Sequence, residues 1–160
     1  MCLELTYAYE EPEEIRSLFQ EYTELLLANE PAFRQYLDLQ HYDQETAHPE
    51  RKYGLPEGRL YLARWDGAAA GCGALRSLDS RRCELKRLYV RPAFRGRRIG
   101  EALLRRLLED ARAMGCRAVL LDTLPSLSSA LRLYRRFGFY DIPRYNDSPL
   151  ASTIYLQLDL

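Results

Sequence analysis

The sequence predicts a mixed α/β layer fold, helices packed on a sheet. Three observations carry the prediction. Apolar residues recur at helical spacing in two long stretches, 15–26 and 99–114. Asp66-Gly67 separates two strand-like runs, a hairpin signal. Ala118 to Asp122 is short and apolar, as a buried strand is.

Leu3 to Tyr9 is read as the first strand. Pro12 suits the first position of a helix, and Glu13 and Glu14 favour its positive end. Ile15, Leu18, Phe19, Tyr22, Leu25 and Leu26 line that helix to about Ala28, and Pro31 breaks the chain. A second helix is expected from Ala32 to about Leu39. His41 to Glu57, with Pro49, Gly54 and Pro56, reads as a loop. Arg59–Trp65 and Ala68–Leu78 form the hairpin, and Cys83–Val90 the next strand. Ile99, Leu103, Leu107, Ala111 and Met114 line a long helix that Gly115 ends. Pro125-Ser126 starts another helix ending near Gly138, with a short strand near Tyr140 and a last one over Ser152–Leu158. The order is β-α-α-β-β-β-α-β-α-β.

One hundred and sixty residues fit one domain, 1–160, with 47% hydrophobic and 29% charged residues. No apolar run reaches membrane-spanning length. Glu4, Glu10, Glu11, Glu13 and Glu14 occupy the stretch where a signal peptide is basic and apolar, so a cytoplasmic location is expected. Cys2, Cys72, Cys83 and Cys116 show no C-x-x-C spacing, and reduced thiols are expected; no metal set is evident. Net charge is zero but uneven. Residues 1–50 hold twelve Asp/Glu against two Lys/Arg, and residues 81–106 hold ten Lys/Arg against two Asp/Glu. A basic segment suits an anionic ligand; an acidic one suits a cationic substrate or is a solvated face.

The basic segment runs from a strand into a glycine-containing turn that opens a helix. Unpartnered N–H groups and the helix dipole make such a turn a phosphate site, and Arg95, Arg97 and Arg98 add charge. It lacks the Gly-Lys-Ser/Thr of a nucleotide-triphosphate loop, and Gly96 and Gly100 do not form G-x-G-x-x-G. What remains resembles the pyrophosphate turn of the GNAT superfamily, the acetyl-CoA-dependent N-acyltransferases, Arg/Gln-x-x-Gly-x-Gly/Ala. Here it reads Arg95-Gly96-Arg97-Arg98-Ile99-Gly100, with Arg98 at the family's first glycine. A β-carbon is tolerable there if the backbone is already helical. A second stretch, Ala130-Leu-Arg-Leu-Tyr134-Arg-Arg-Phe-Gly138-Phe139, is similar to the family's Ala-x-x-x-Tyr-x-x-x-Gly-Phe. Leu127 stands where many members have Asn.

The resemblance covers nearly the whole chain. It implies a mainly antiparallel sheet whose fourth and fifth strands splay, and acetyl-CoA as acyl donor in the cleft between them. Cofactor contacts are implied at Leu88, Tyr89, Val90, Arg95, Gly96, Arg97, Arg98, Ile99, Gly100, Glu101, Ala130 and Tyr134. An N–H near Val90 would polarise the thioester carbonyl, and Tyr134 would be the general acid for the departing thiolate. A base is needed because an amine near pKa 10 is about a thousandfold more protonated than free at neutral pH. Glu84 lies eleven residues before Arg95, a spacing at which some members carry a catalytic glutamate. Strict alternation puts Glu84, Lys86, Leu88 and Val90 on one face, where Lys86 can pair with Glu84 and lower its basicity. Tyr89, His41 and His48 are reserve bases. Asp122 and Thr123 end the fifth strand at the cleft and, with His41, are placed at the substrate. Cys83 is read as core, because direct transfer needs no acyl-enzyme.

These readings imply N-acetyl transfer to an amine of a small molecule, an amino-acid-like compound or a peptide. A non-catalytic acyl-CoA-binding domain of the same fold is the alternative. The arginine-rich segment lacks the recognition motif, interleaved aromatics and net basic charge of a nucleic-acid module. Dimerisation is common in the family, so a homodimer is compatible with the sequence.

Overall fold

The structure, a computed structural model, describes residues 1–160. Its strands are β1 (Leu3–Tyr7), β2 (Gly58–Trp65), β3 (Ala68–Ser77), β4 (Arg82–Val90), β5 (Ala118–Thr123), β6 (Tyr140–Asp141) and β7 (Ile154–Asp159). They form one sheet in the order β1-β2-β3-β4-β5-β7-β6. Every pairing is antiparallel except β4 with β5. The long helices are α1 (Pro12–Asn29), α5 (Ile99–Ala113) and α6 (Ser128–Arg136); α2 (Phe33–Leu39), α3 (Tyr42–Ala47) and α4 (Pro49–Tyr53) are short. No helix is long and apolar enough to cross a membrane.

Each face of the sheet carries a core. Ile15, Leu18 and Phe19 of α1 pack with Leu60, Leu62 and Cys72 on one side. Ile99, Leu103 and Leu107 of α5 pack with Tyr61, Leu75 and Leu85 on the other. The two sets come from alternate strand positions, as a pleated sheet covered on both faces requires.

Four expectations are corrected. Residues 41–57 are not wholly a loop. His41, in the left-handed region at φ 56°, separates α2 from α3, and Pro49 opens α4. The helix expected from Pro125 begins at Ser128, because a turn closed by the Leu127 amide on the Leu124 carbonyl comes first. Cys83 and Cys116 are joined in a disulfide, while Cys2 and Cys72 are free. Thirty-three residues separate the pair in sequence, but Cys83 lies opposite Val119 in the parallel register, which brings Cys116 alongside.

The fourth correction concerns alternation along β4. Cys72 pairs with Tyr89 and Ala74 with Lys86, so two residues of β4 face the single Gly73. Arg87 carries the bulge at φ 57°. Glu84, Lys86 and Tyr89 therefore lie on the α1 side, whereas Leu85, Leu88 and Val90 face α5. Strict period two fails at one residue, and Leu88 and Val90 do not share the face of Glu84.

Candidate active site

β4 and β5 pair only from Arg82 to Glu84, opposite Ala118 to Leu120. Beyond Glu84 they diverge, and the edge of β4 toward β5 is left open. A groove of about 490 Å³ lies beside that edge, between the start of α5 and α6. Leu88, Tyr89 and Val90 line it from β4, and Ser126, Ser128 and Ala130 from the other wall.

The floor of the groove is backbone. The amides from Arg97 to Glu101 donate to no carbonyl, and only at Ala102 does the first helical bond close, on the Arg98 carbonyl at 3.0 Å. No side chain caps α5. These free donors at a helix start, with the positive end of the dipole, suit an anionic phosphate group. Gly96 sits at φ +80°, where glycine is favoured. Arg98 adopts φ 58°, ψ 26°, so the position is left-handed rather than helical as expected, and the arginine bears a strain of about 1–2 kcal/mol that glycine avoids. Gly100 borders the groove, and a Cβ there would stand 3.7 Å from Leu133 and Val90.

The arginines divide their work. Arg95 lines the groove and donates from Nε to the Val90 carbonyl at 3.2 Å. Arg98 also lines it. Arg97 does not: its guanidinium lies over Trp65 and Phe94, at 5.2 and 5.7 Å from the ring centres. Ile99 and Glu101 contribute to the wall, and Glu101 is 3.2 Å from Arg105 and 3.8 Å from Arg136.

Where β4 and β5 part, the groove narrows to a cleft with space for about 30 Å³, lined by Tyr22, Leu88, Leu127 and Tyr134 on its groove side. Tyr134 is 6% exposed, and its hydroxyl makes no hydrogen bond to the protein. Burial raises its pKa, and Tyr22 and Asp122 add to the rise, so the phenol keeps its proton. Asp122 and Thr123 also line the cleft. The Asp122 carboxylate accepts from the Tyr36 hydroxyl and from Asn146 Nδ2 at 2.6 Å.

Beyond the cleft opens a polar chamber of about 660 Å³. Glu84 stands in its wall, 2% exposed. One carboxylate oxygen accepts from Arg76 Nε at 2.8 Å, the other from the Tyr145 hydroxyl at 2.6 Å. Burial pushes the Glu84 pKa up, but the charge of Lys86, the Tyr145 hydrogen bond and Arg76 together bring it below its ordinary value. Deeper, Arg87 grips Glu45 through Nε at 2.6 Å and Nη2 at 3.0 Å, and Lys52 Nζ reaches the same carboxylate at 2.8 Å. Burial alone would raise Glu45; Arg87 and Lys52 hold it at about 2. His41 lies on the exposed rim, and His48 lies on the rim 3.2 Å from Glu50. Tyr89 is on the groove side, its hydroxyl 3.4 Å from Glu21.

Three of the twelve acidic N-terminal residues pair with arginines, and most of the others make no ion pair. Glu11 holds Arg64, Glu21 holds Arg91, and Glu45 holds Arg87. Sequence reasoning missed Tyr36, Glu45, Tyr145 and Asn146. They lie up to 110 residues from their partners, and no local pattern announces them.

A profile of the acetyltransferase (GNAT) family matches residues 13–139. An uncharacterized N-acetyltransferase of Schizosaccharomyces pombe is 36% identical over 150 residues, covering 92% of this chain and 88% of that protein. An acetyltransferase from Streptococcus agalactiae superposes with a TM-score of 0.77 at 22% identity, over 99% of this chain and 98% of that one. The PaiA N-acetyltransferase from Thermoplasma acidophilum, solved with coenzyme A, gives 0.79 at 17% identity over the whole of both chains. With its free helix-start amides, its parted central strands and these relatives, the chain belongs to the GNAT family of acetyltransferases.

Proposed function

We propose that this enzyme transfers the acetyl group of acetyl-CoA directly to an amine of a small molecule, amino-acid-like compound or peptide. The observation that carries the reading is the proton-bearing, unpartnered Tyr134 hydroxyl at the neck between an anion-binding groove and a polar chamber. The groove suits the donor. Free amides from Arg97 to Glu101, with Arg95 and Arg98, would hold the pyrophosphate. The pantetheine arm would run along the open edge of β4 as an added strand. Arg91 donates its amide to Ala70 of β3, so alternation turns the Val90 N–H toward the open edge, where it can polarise the thioester carbonyl.

The amine enters through the chamber and attacks the carbonyl carbon. As the carbon–sulfur bond breaks, Tyr134 gives its proton to the thiolate and is reprotonated from solvent; its raised pKa keeps that proton in place until charge develops on sulfur. Glu84, with both oxygens engaged and its pKa depressed, is a weak proton acceptor and acts in this reading as a positioning residue. The cations around it disfavour an ammonium and so ease loss of the amine's proton to the open chamber.

Tyr134→Phe tests the reading. It removes one hydroxyl and almost no volume. Turnover measured by thiol release should fall about 10²-fold or more while acetyl-CoA affinity holds. Full turnover in the variant would remove Tyr134 from the chemistry. Acetyl-CoA binding with no transfer to any amine by the wild type would favour the passive acyl-CoA-binding domain.

A further inference from the structure

One charge in the chamber has no partner. Lys86 is 7% exposed, and its ammonium lies within 4.0 Å of no carboxylate and makes no hydrogen bond to the protein. Glu84 is paired with Arg76, and Glu45 with Arg87 and Lys52, while Asp122 on the cleft wall is held by neutral donors, Tyr36 and Asn146. The Lys86 stem is buried while its ammonium is reached from the chamber, so an anion bound there can pair with it. Glu84 is near enough for the Lys86 charge to lower its pKa, but the two form no ion pair within 4.0 Å, and its oxygens accept from Arg76 and Tyr145.

Lys86 is also placed where a substrate must pass. It lines both the narrow cleft beside Tyr134 and the chamber. The inner walls of cleft and chamber set three carboxylates, Glu45, Glu84 and Asp122, against four cations, Lys52, Arg76, Lys86 and Arg87. The exposed acids Glu57 and Asp147 lie on the outer rim. A plain aliphatic amine or a polyamine would bring only positive charge to this wall. An acceptor that also carries a carboxylate would supply the missing counter-charge and leave its amine at the cleft.

We propose that the acceptor is an amino acid or amino-acid-like amine whose carboxylate is held by the Lys86 ammonium. This rests on the reading of the chamber as the acceptor site. The reaction is unchanged: the amine nitrogen bonds to the acetyl carbon, the carbon–sulfur bond breaks, and the amine's proton leaves to solvent. Lys86 is a specificity residue and takes no part in proton transfer. A single unmatched ammonium favours a monoanionic carboxylate over a phosphoryl group, which would need more donors.

The experiment compares free amino acids with their carboxamides, which keep the shape and lose the charge, and with aminophosphonates. Wild-type enzyme should favour acid over amide by about 10²-fold in kcat/KM, the scale of a charge-assisted hydrogen bond removed from a buried site. Lys86→Met should bring that ratio near one, mainly through KM of the acid, and Lys86→Arg should restore part of it. A single cooperative melt of Lys86→Met should show that it folds, since Met keeps the apolar stem. Equal use of acid and amide by the wild type overturns the inference and leaves the proposed function standing. So does a Lys86→Met variant that keeps the acid preference. Preference for aminophosphonates would replace the carboxylate with a phosphoryl group and overturn the assignment as stated. If acetyl-CoA binds but no amine of any class is bound or acetylated, the function itself fails, and this inference with it.

Discussion

The groove and the chamber meet at Tyr134 but are made of different material. The groove presents backbone: open amides at the start of α5 and the free edge of β4. The chamber presents side chains brought together from α2, α3, α4, β3, β4 and the segment before β7. Backbone donors are fixed by a local turn and serve any ligand with the same anion. Side-chain partners depend on the whole fold, and each can be changed alone. On the proposed function, one region would bind a common donor and the other distinguish acceptors.

The contrast breaks first at Glu45. Replacing Glu45 with Gln leaves Arg87 buried without its counter-ion, which should cost about 3 kcal/mol in urea unfolding at neutral pH. The same pair gives a pH signature. The folded carboxyl stands at about 2 against 4.5 for the free group, so its stabilisation is complete above the unfolded value and lost as pH falls through the folded one. The variant should lack that acid-side slope. An unchanged urea midpoint would mean that the chamber does not depend on this ion cluster. Acetyl-CoA affinity should survive in whatever fraction stays folded, because the groove uses none of these groups.

Gly100→Val strikes the other region. The added Cβ sits at ordinary contact distance from Leu133 and Val90, so the fold should tolerate it. The remaining branches enter the groove and should weaken acetyl-CoA binding by about 1–3 kcal/mol, the usual scale of overpacking. Calorimetry with acetyl-CoA and a thermal melt without it separate the two effects. Unchanged affinity would move the donor away from the start of α5. Glu84→Gln is the mildest test. As a positioning residue its loss should lower turnover by less than about tenfold, by the same factor at every pH tried. Activity that recovers as pH rises toward the amine's own pKa would instead make Glu84 the base.

The same division explains what could be read beforehand. The hairpin at Asp66-Gly67, the long helices and the turn from Arg95 to Gly100 follow local rules of spacing and turn chemistry, and their elements appear within a few residues of expectation. The turn was legible because it is contiguous. Alternation along β4 was not, since nothing in Lys86-Arg87-Leu88 signals an extra residue; the bulge exists only relative to β3. The left-handed Arg98 was likewise hidden, because arginine there runs against its own conformational preference. Tyr145 and Asn146 reach Glu84 and Asp122 from elsewhere in the chain, and the Cys83–Cys116 bond follows from a parallel register three residues long. Contacts of that range leave no mark at the level of spacing.

The bulge at Arg87 also shifts the phase of its strand. Before it, Glu84 and Lys86 line the chamber; after it, Leu88 to Val90 line the groove. The extra residue uncouples the two halves, so side chains upstream can be exchanged without changing which way the downstream ones point. Removing Arg87 would leave Leu88 alone opposite Gly73 and keep Tyr89 paired with Cys72, so the downstream faces would hold while the Arg87–Glu45 pair was lost. On the proposed assignment, a redesign of acceptor choice can alter residues up to and including the bulge while Leu88, Tyr89 and Val90 keep the faces they hold.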